Sequence, residues 1–314
     1  MLFEAYTELI RKFPSGCASL YGEELQGKSG VWLAVDERSF PSLLFSCLPS
    51  DTRNDIELRF VGVQFARECE IGVDGGGHAN GTFSIVRLEE SDPDLVRVFL
   101  RLLEEAFCGD ALTPLTNREI SERILELANL FSQLEHSAKD LVGLWGELLI
   151  ISRAAAPAVA AQRWCLDRNA KYDFVCEGFA LEVKTTLKSS RVHRFALAQL
   201  RPNEELAIYV ASIQAIQAHG GTTVSELMDR ILEMITDAEL RRSFLALCLL
   251  KGGEDIYKSG LRLQLLSAEG GVAYFAASNI PVPFVDAISP ISNVKFDVCL
   301  DDLQREDGEI PIDR

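Results

Sequence analysis

Lys171 to Thr186 reads KYDFVCEGFALEVKTT, and the reading of this stretch decides the fold. Two short runs rich in aromatic and β-branched residues flank Glu177-Gly178, a two-residue turn in which glycine supplies the positive φ. That turn predicts a hairpin with Tyr172 facing Val183, Phe174 facing Leu181 and Cys176 facing Phe179. On the alternate face Asp173 then stands across from Glu182. Lys184 lies beside Glu182, because residues i and i+2 of a strand share a face. Opposed carboxylates have Cβ atoms about 5 Å apart, and like charges so placed destabilise a sheet. A hard divalent cation such as Mg²⁺ or Mn²⁺ between them reverses the sign. Lys184 would then orient an attacking water and stabilise charge developing on a phosphate. The plain alternative is a surface hairpin whose charges are solvated.

The helix before the hairpin weighs against the plain alternative. In LVGLWGELLII, Leu141 to Ile151, Glu147 is the one charged residue. Its neighbours one turn away are Gly143, Leu144, Ile150 and Ile151, all small or apolar. A carboxylate set into such a face is costly unless protonated, paired or bound to metal. After the hairpin, Lys184 to Pro202 contains Lys188, Arg191, His193, Arg194 and Arg201 but no acid. In a chain of net charge −16 this is a candidate phosphate-binding stretch, with Gln199 a further candidate contact. Neutralising Arg191 and Arg194 is then expected to remove the salt sensitivity of DNA binding.

Around this centre the chain of 314 residues divides in two. A helix from Leu2 to Phe13 precedes strand-like runs at Val31–Val35, Ser42–Leu48, Ile56–Phe65, Cys69–Val73 and Thr82–Leu88, with Gly75-Gly76-Gly77 as a hairpin loop. Asp92 caps a helix begun by Pro93 and running to Phe107. The expected boundary follows, giving a strand-rich domain over 1–115 and a mixed α/β domain over 116–314. The latter has helices from Arg118 to His136 and from Lys139 to Ala156, stopped by Pro157. A strand at Glu205–Ser212 and helices within Thr222–Cys248, capped by Thr223, follow. Strands at Leu261–Leu266, Val272–Ala277 and Val294–Leu300 close the chain.

Composition excludes several classes. The acid surplus argues against a general nucleic-acid coat protein, without excluding a local basic groove. No apolar run is long enough for a membrane helix, and MLFEAYTELIRKF has acids within it and no cleavage-like site. A cytoplasmic protein without membrane attachment is expected. The eight cysteines form no C-x-x-C pair, which argues for buried thiols rather than structural zinc or a disulfide framework. G-x-S-x-G, H-E-x-x-H and the phosphate-loop signature are absent.

Taken in order, GLWGE, YDF, LEVK and FALAQL resemble the PD-(D/E)xK nuclease superfamily. The resemblance implies a restriction-endonuclease-like mixed sheet flanked by helices, with Asp173 and Glu182 as metal ligands, Lys184 as the catalytic lysine and Glu147 as a further acidic, metal-lining residue. One metal or two are both compatible with it. Gln199 resembles the glutamine of the Q-x-x-x-Y motif, although Asn203 stands at the tyrosine position. The chain is also similar to a bacterial family of stand-alone PD-(D/E)xK motif proteins of about this length. In that family GLWGE, DF…LEVKTT, R-x-H followed by A-Q-L, IPVPF and the last strand recur. Its members are associated with phage-defence gene clusters, often near helicases. This implies a Mg²⁺- or Mn²⁺-dependent endonuclease acting on DNA in anti-phage defence, with a helicase or other defence proteins as partners and a homodimer compatible. The alternatives are a nuclease-fold subunit that binds DNA or assembles a complex without cutting, and a hydrolase of a small phosphorylated molecule.

Overall fold

Apolar residues one helical turn apart, Leu2, Tyr6 and Leu9, bury one stripe of the first helix, α1 (Leu2–Lys12). The computed structural model describes residues 2–14, 20–51, 53–57, 61–108, 115–134, 140–165, 170–201, 206–253, 255–268, 270–284 and 293–313, and the side chains of 108, 128–134 and 255 are left aside. The chain forms two compact units, Met1–His136 and Ser137–Arg314.

In the first unit six strands follow α1: β1 (Leu20–Glu24), β2 (Val31–Val35), β3 (Pro41–Ser46), β4 (Ile56–Glu57), β5 (Val61–Val73) and β6 (Gly77–Leu88). They form one sheet in the order β1-β2-β3-β6-β5-β4. β1 also pairs in parallel with the far end of β5, so the sheet closes on itself. The runs expected as separate strands at Ile56–Phe65 and Cys69–Val73 are largely one long strand, β5. A bulge between Gln64 and Arg67 breaks its register, with Ala66 at φ 51°. The polar Arg67 and Glu68 in mid-run imitate a turn, but a bulge lets the strand continue. Next come α2 (Pro93–Leu103), capped by the Asp92 side chain as expected, and α3 (Asn117–Leu134).

Helix α3 belongs to this first unit, because Ile120 and Ile124 pack into the core with Phe45, Phe99 and Phe107. The division between units therefore falls after His136 rather than after residue 115. The Gly, Thr and Pro connection expected over Cys108 to Asn117 falls within the span of the first unit, and its residues 109–114 lie outside the described residues.

The second unit opens with α4 (Leu141–Arg153) and α5 (Pro157–Arg163). Pro157 was expected only to stop a helix, but it also occupies the first turn of the next, where its missing N–H costs nothing. β7 (Phe174–Cys176) and β8 (Phe179–Thr186) then form the expected hairpin, with Phe174 opposite Leu181, Cys176 opposite Phe179 and Gly178 at φ 78°. β9 (Val192–Ala196), α6 (Leu197–Leu200) and β10 (Ala207–Thr222) follow. Next are α7 (Val224–Met234), α8 (Ala238–Gly252), α9 (Asp255–Lys258), β11 (Leu263–Leu265), β12 (Val272–Ala276) and β13 (Lys295–Cys299).

β8 lies inside a mixed sheet, antiparallel to β7 on one side and parallel to β10 on the other. β12 and β11 pair antiparallel with successive parts of β10. The hairpin is thus the edge of a larger sheet rather than a free surface ribbon, and Ala180, Leu181, Glu182 and Val183 are all buried. β9 and β13 make a separate ribbon. From it Phe195 and Val298 pack with Ala180, Val210 and Phe275 of the main sheet. Helices α4, α5, α7 and α8 pack on one another, and α4 lies against β8. The fold is the mixed α and β architecture expected, a strand-rich unit followed by a sheet flanked by helices. No helix among the described residues is long and apolar enough to cross a membrane. None of the described cysteines forms a disulfide.

Candidate active site

The end of β8, the start of β7 and the middle of α4 meet where glycine allows it. A Cβ on Gly146 would collide with Thr185 Oγ1 and lie 3.2 Å from Ile213 Cδ1, so only glycine lets α4 cross the sheet this closely. Asp140 caps the helix by accepting the Gly143 N–H at 2.8 Å. Glu147, the next residue after Gly146, is thereby held at the sheet and is 8 % exposed.

Asp173 precedes β7, and its carboxylate turns toward β8, where Oδ2 accepts the Val183 N–H at 2.9 Å. Glu182, 4 % exposed, accepts at Oε1 from both Lys184 Nζ and Gln199 Nε2, each at 2.6 Å. Gln199 is oriented in turn by its own Oε1, which accepts the Ala196 N–H at 2.9 Å. Asp173, Glu182, Lys184 and Glu147 thus gather in one cluster, and Gln199 holds a carboxylate rather than facing a base or phosphate.

Two members of the cluster escaped the sequence reading. Trp164 Nε1 donates to Glu147 Oε2 at 2.6 Å. Lys251 Nζ, from the last turn of α8, donates to the same oxygen and lies 3.4 Å from Asp173 Oδ1. It also sits 5.1 Å from the Trp164 ring centre, a cation–π contact. The only trace of Lys251 in the sequence is a single charge closing the apolar run LALCLL, and nothing local links it to Glu147.

Electrostatics follow from this crowding. Burial, then the Asp173 charge, pushes Glu147 up to about 8, with Lys251 opposing. The same two causes push Glu182 up to about 7, with Lys184 opposing. Burial works against the Lys251 charge, but Glu147 and Asp173 outweigh it and raise its pKa. Ammonium and indole N–H both donate to one Glu147 oxygen, an arrangement suited to a carboxylate. Three acids this close resist ionising together unless a cation compensates them.

The donor set fits a hard divalent ion. Mg²⁺ commonly takes one or two carboxylates and keeps several waters. Asp173 and Glu182 offer such a pair, and Glu182 Oε2 accepts no hydrogen bond from a described residue. Among the described residues no three His, Cys, Asp or Glu side chains form a group that could hold an ion. Water would complete the shell of an ion held by this pair.

The basic stretch is reassigned in part. Arg191 is 1 % exposed, and its guanidinium donates to Ser212 O at 2.5 Å, Ser212 Oγ at 2.9 Å and the Gly270 carbonyl. His193 is buried with Nε2 at 2.7 Å from Ser212 Oγ. Neither can reach a nucleic acid, because β9 runs through the stretch and turns both side chains inward. Arg194 is exposed but pairs with Asp297 at 3.0 Å across the β9–β13 ladder. Lys188 and Arg201 are exposed. Asn203 lies outside the described residues.

A helix carrying an acid and a strand pair carrying Asp, Glu-x-Lys, brought together on a mixed sheet, define the class of PD-(D/E)XK proteins. A family model described as "Putative PD-(D/E)XK family member, (DUF4420)" matches residues 20–301, and the chain belongs to that family. No curated protein and no solved structure matches it.

Proposed function

We propose that the chain is a metal-dependent phosphodiesterase that cleaves DNA, with Asp173, Glu182 and Lys184 at its centre. The observation that carries this reading is the buried cluster itself, in which Glu182 and Lys184 stand 2.6 Å apart beside Asp173 and Glu147. Buried acids kept together at a cost to stability fit a functional demand better than a structural one. Mg²⁺ or Mn²⁺, held by Asp173 and Glu182, would supply Lewis-acid polarisation and a water of lowered pKa. Lys184, fixed by Glu182 yet partly exposed, is suited to stabilise negative charge building on a phosphoryl oxygen. Gln199 keeps Glu182 in one orientation.

The test is cleavage of supercoiled, linear and single-stranded DNA, and of RNA, by the purified chain with Mg²⁺ or Mn²⁺. Wild type is expected to cut, and Asp173→Ala and Lys184→Ala to lose at least about a hundredfold in rate, the loss seen when one stabilising group is removed from a transition state. Cleavage that survives either substitution overturns the reading.

A second reading, a nuclease-fold subunit that needs partners, draws on the basic stretch. With Arg191 and His193 buried and Arg194 paired, few cations remain in that stretch to capture DNA unaided. In this form the chain acts within an anti-phage defence assembly, and a helicase or ATPase delivers the substrate. Silence of the isolated chain, relieved by its gene neighbours' products, would favour it.

A further inference from the structure

Both donors to Glu147 converge on one oxygen, Oε2. One of them, Lys251, also reaches Asp173, so an ammonium bridges these two carboxylates. Its position is fixed from three sides, by Glu147, by Asp173 and by the Trp164 ring. It also closes the last turn of α8, where the helix dipole favours a positive charge. Glu182, by contrast, takes its donors from Lys184 and Gln199 and makes no hydrogen bond to Lys251.

We propose that Lys251 occupies the place of a second metal ion, so that the site holds a single divalent cation, between Asp173 and Glu182, with Glu147 serving as the partner of Lys251 rather than as a metal ligand. This rests on the metal-dependent reading above. Lys251 is then a positioning residue that supplies a permanent charge beside Asp173. Two carboxylates are enough for one hydrated Mg²⁺ or Mn²⁺. Although Asp173, Glu182 and Glu147 share the cluster, no three His, Cys, Asp or Glu side chains among the described residues are placed to hold one ion together. Glu147, which the sequence suggests as a metal ligand, faces the ammonium instead.

The experiment is a titration with Mn²⁺ alone, without nucleic acid, read as bound ion per chain by equilibrium dialysis and by loss of the free-ion paramagnetic resonance signal. Wild type is expected to bind one ion. Lys251→Met exposes Glu147 and Asp173 to each other and is expected to gain a second ion, and Lys251→Met combined with Glu147→Gln to return to one. Glu147→Gln alone, which keeps the ammonium and is the variant to rely on should Lys251→Met not fold, is expected to keep one ion. Two ions in wild type, no gain in Lys251→Met, or loss of the ion in Glu147→Gln overturns this inference and leaves the nuclease reading standing. No bound ion in wild type overturns both.

Discussion

Ser212 joins two buried basic residues through one hydroxyl. Its oxygen accepts from the Arg191 guanidinium and lies 2.7 Å from His193 Nε2. Burial, followed by the charges of Lys184 and Arg191, depresses His193 to about 4. A base depressed in the folded state binds fewer protons than in the unfolded chain, so its stabilising contribution is present above the unfolded value near 6.5. That contribution is lost as pH falls through about 4. The full effect is at most about 3 kcal/mol. Thermal unfolding followed from pH 7 to pH 4 is expected to show a fall in Tm that His193→Gln flattens. An equally steep fall in that variant would assign the effect to other groups. Arg191 and His193, first suggested to hold phosphate, thus turn out to tie β9 to β10 of the neighbouring sheet.

The meeting of α4 with β8 depends on a single missing methyl group. Gly146→Ala would press a Cβ into Thr185 Oγ1 and is expected to cost about 1–3 kcal/mol through overpacking. It should also move Glu147 away from Trp164 and Lys251. The expected record is a lower Tm together with altered fluorescence of Trp164, which now sits against the Glu147 carboxylate. An unchanged melting curve would mean that the helix has room to slide. Elements with local signals were legible in the sequence: the Glu177-Gly178 turn gave the hairpin register, and Asp92 and Thr223 cap their helices as expected. Elements whose signals are tertiary were not. β9 is hidden in a run of cations, and β10 continues to Thr222 through Gly220-Gly221, which imitate a turn. Gly221 is there because Leu263 backbone lies where its Cβ would be. Asp173, Glu182, Lys184 and Glu147 could be read from spacing and from an acid stranded among apolar residues. Trp164 and Lys251 could not, since their partners lie far along the chain.

All the clustered residues, from Glu147 to Lys251, belong to the second compact unit. A fragment of residues 137–314 is therefore expected to fold alone and to bind Mn²⁺ as the whole chain does. A fragment starting at 116 carries α3 without its core, exposing Ile120 and Ile124, and is expected to aggregate. Circular dichroism melts and size-exclusion profiles of the two would decide. A soluble, cooperative 116–314 beside an unfolded 137–314 would return the boundary to the Gly, Thr and Pro connection.

The Glu147–Lys251 pair joins positions 104 residues apart, and this orders events during synthesis. A ribosome releases Glu147 and Asp173 well before α8 exists, so the nascent chain holds acids with no ammonium to meet them. Burying them early would be costly, and they stay hydrated until Lys251 emerges. The cluster therefore closes only once α8 has been made. A chain that ends before α8 carries the strand motif without the assembled centre.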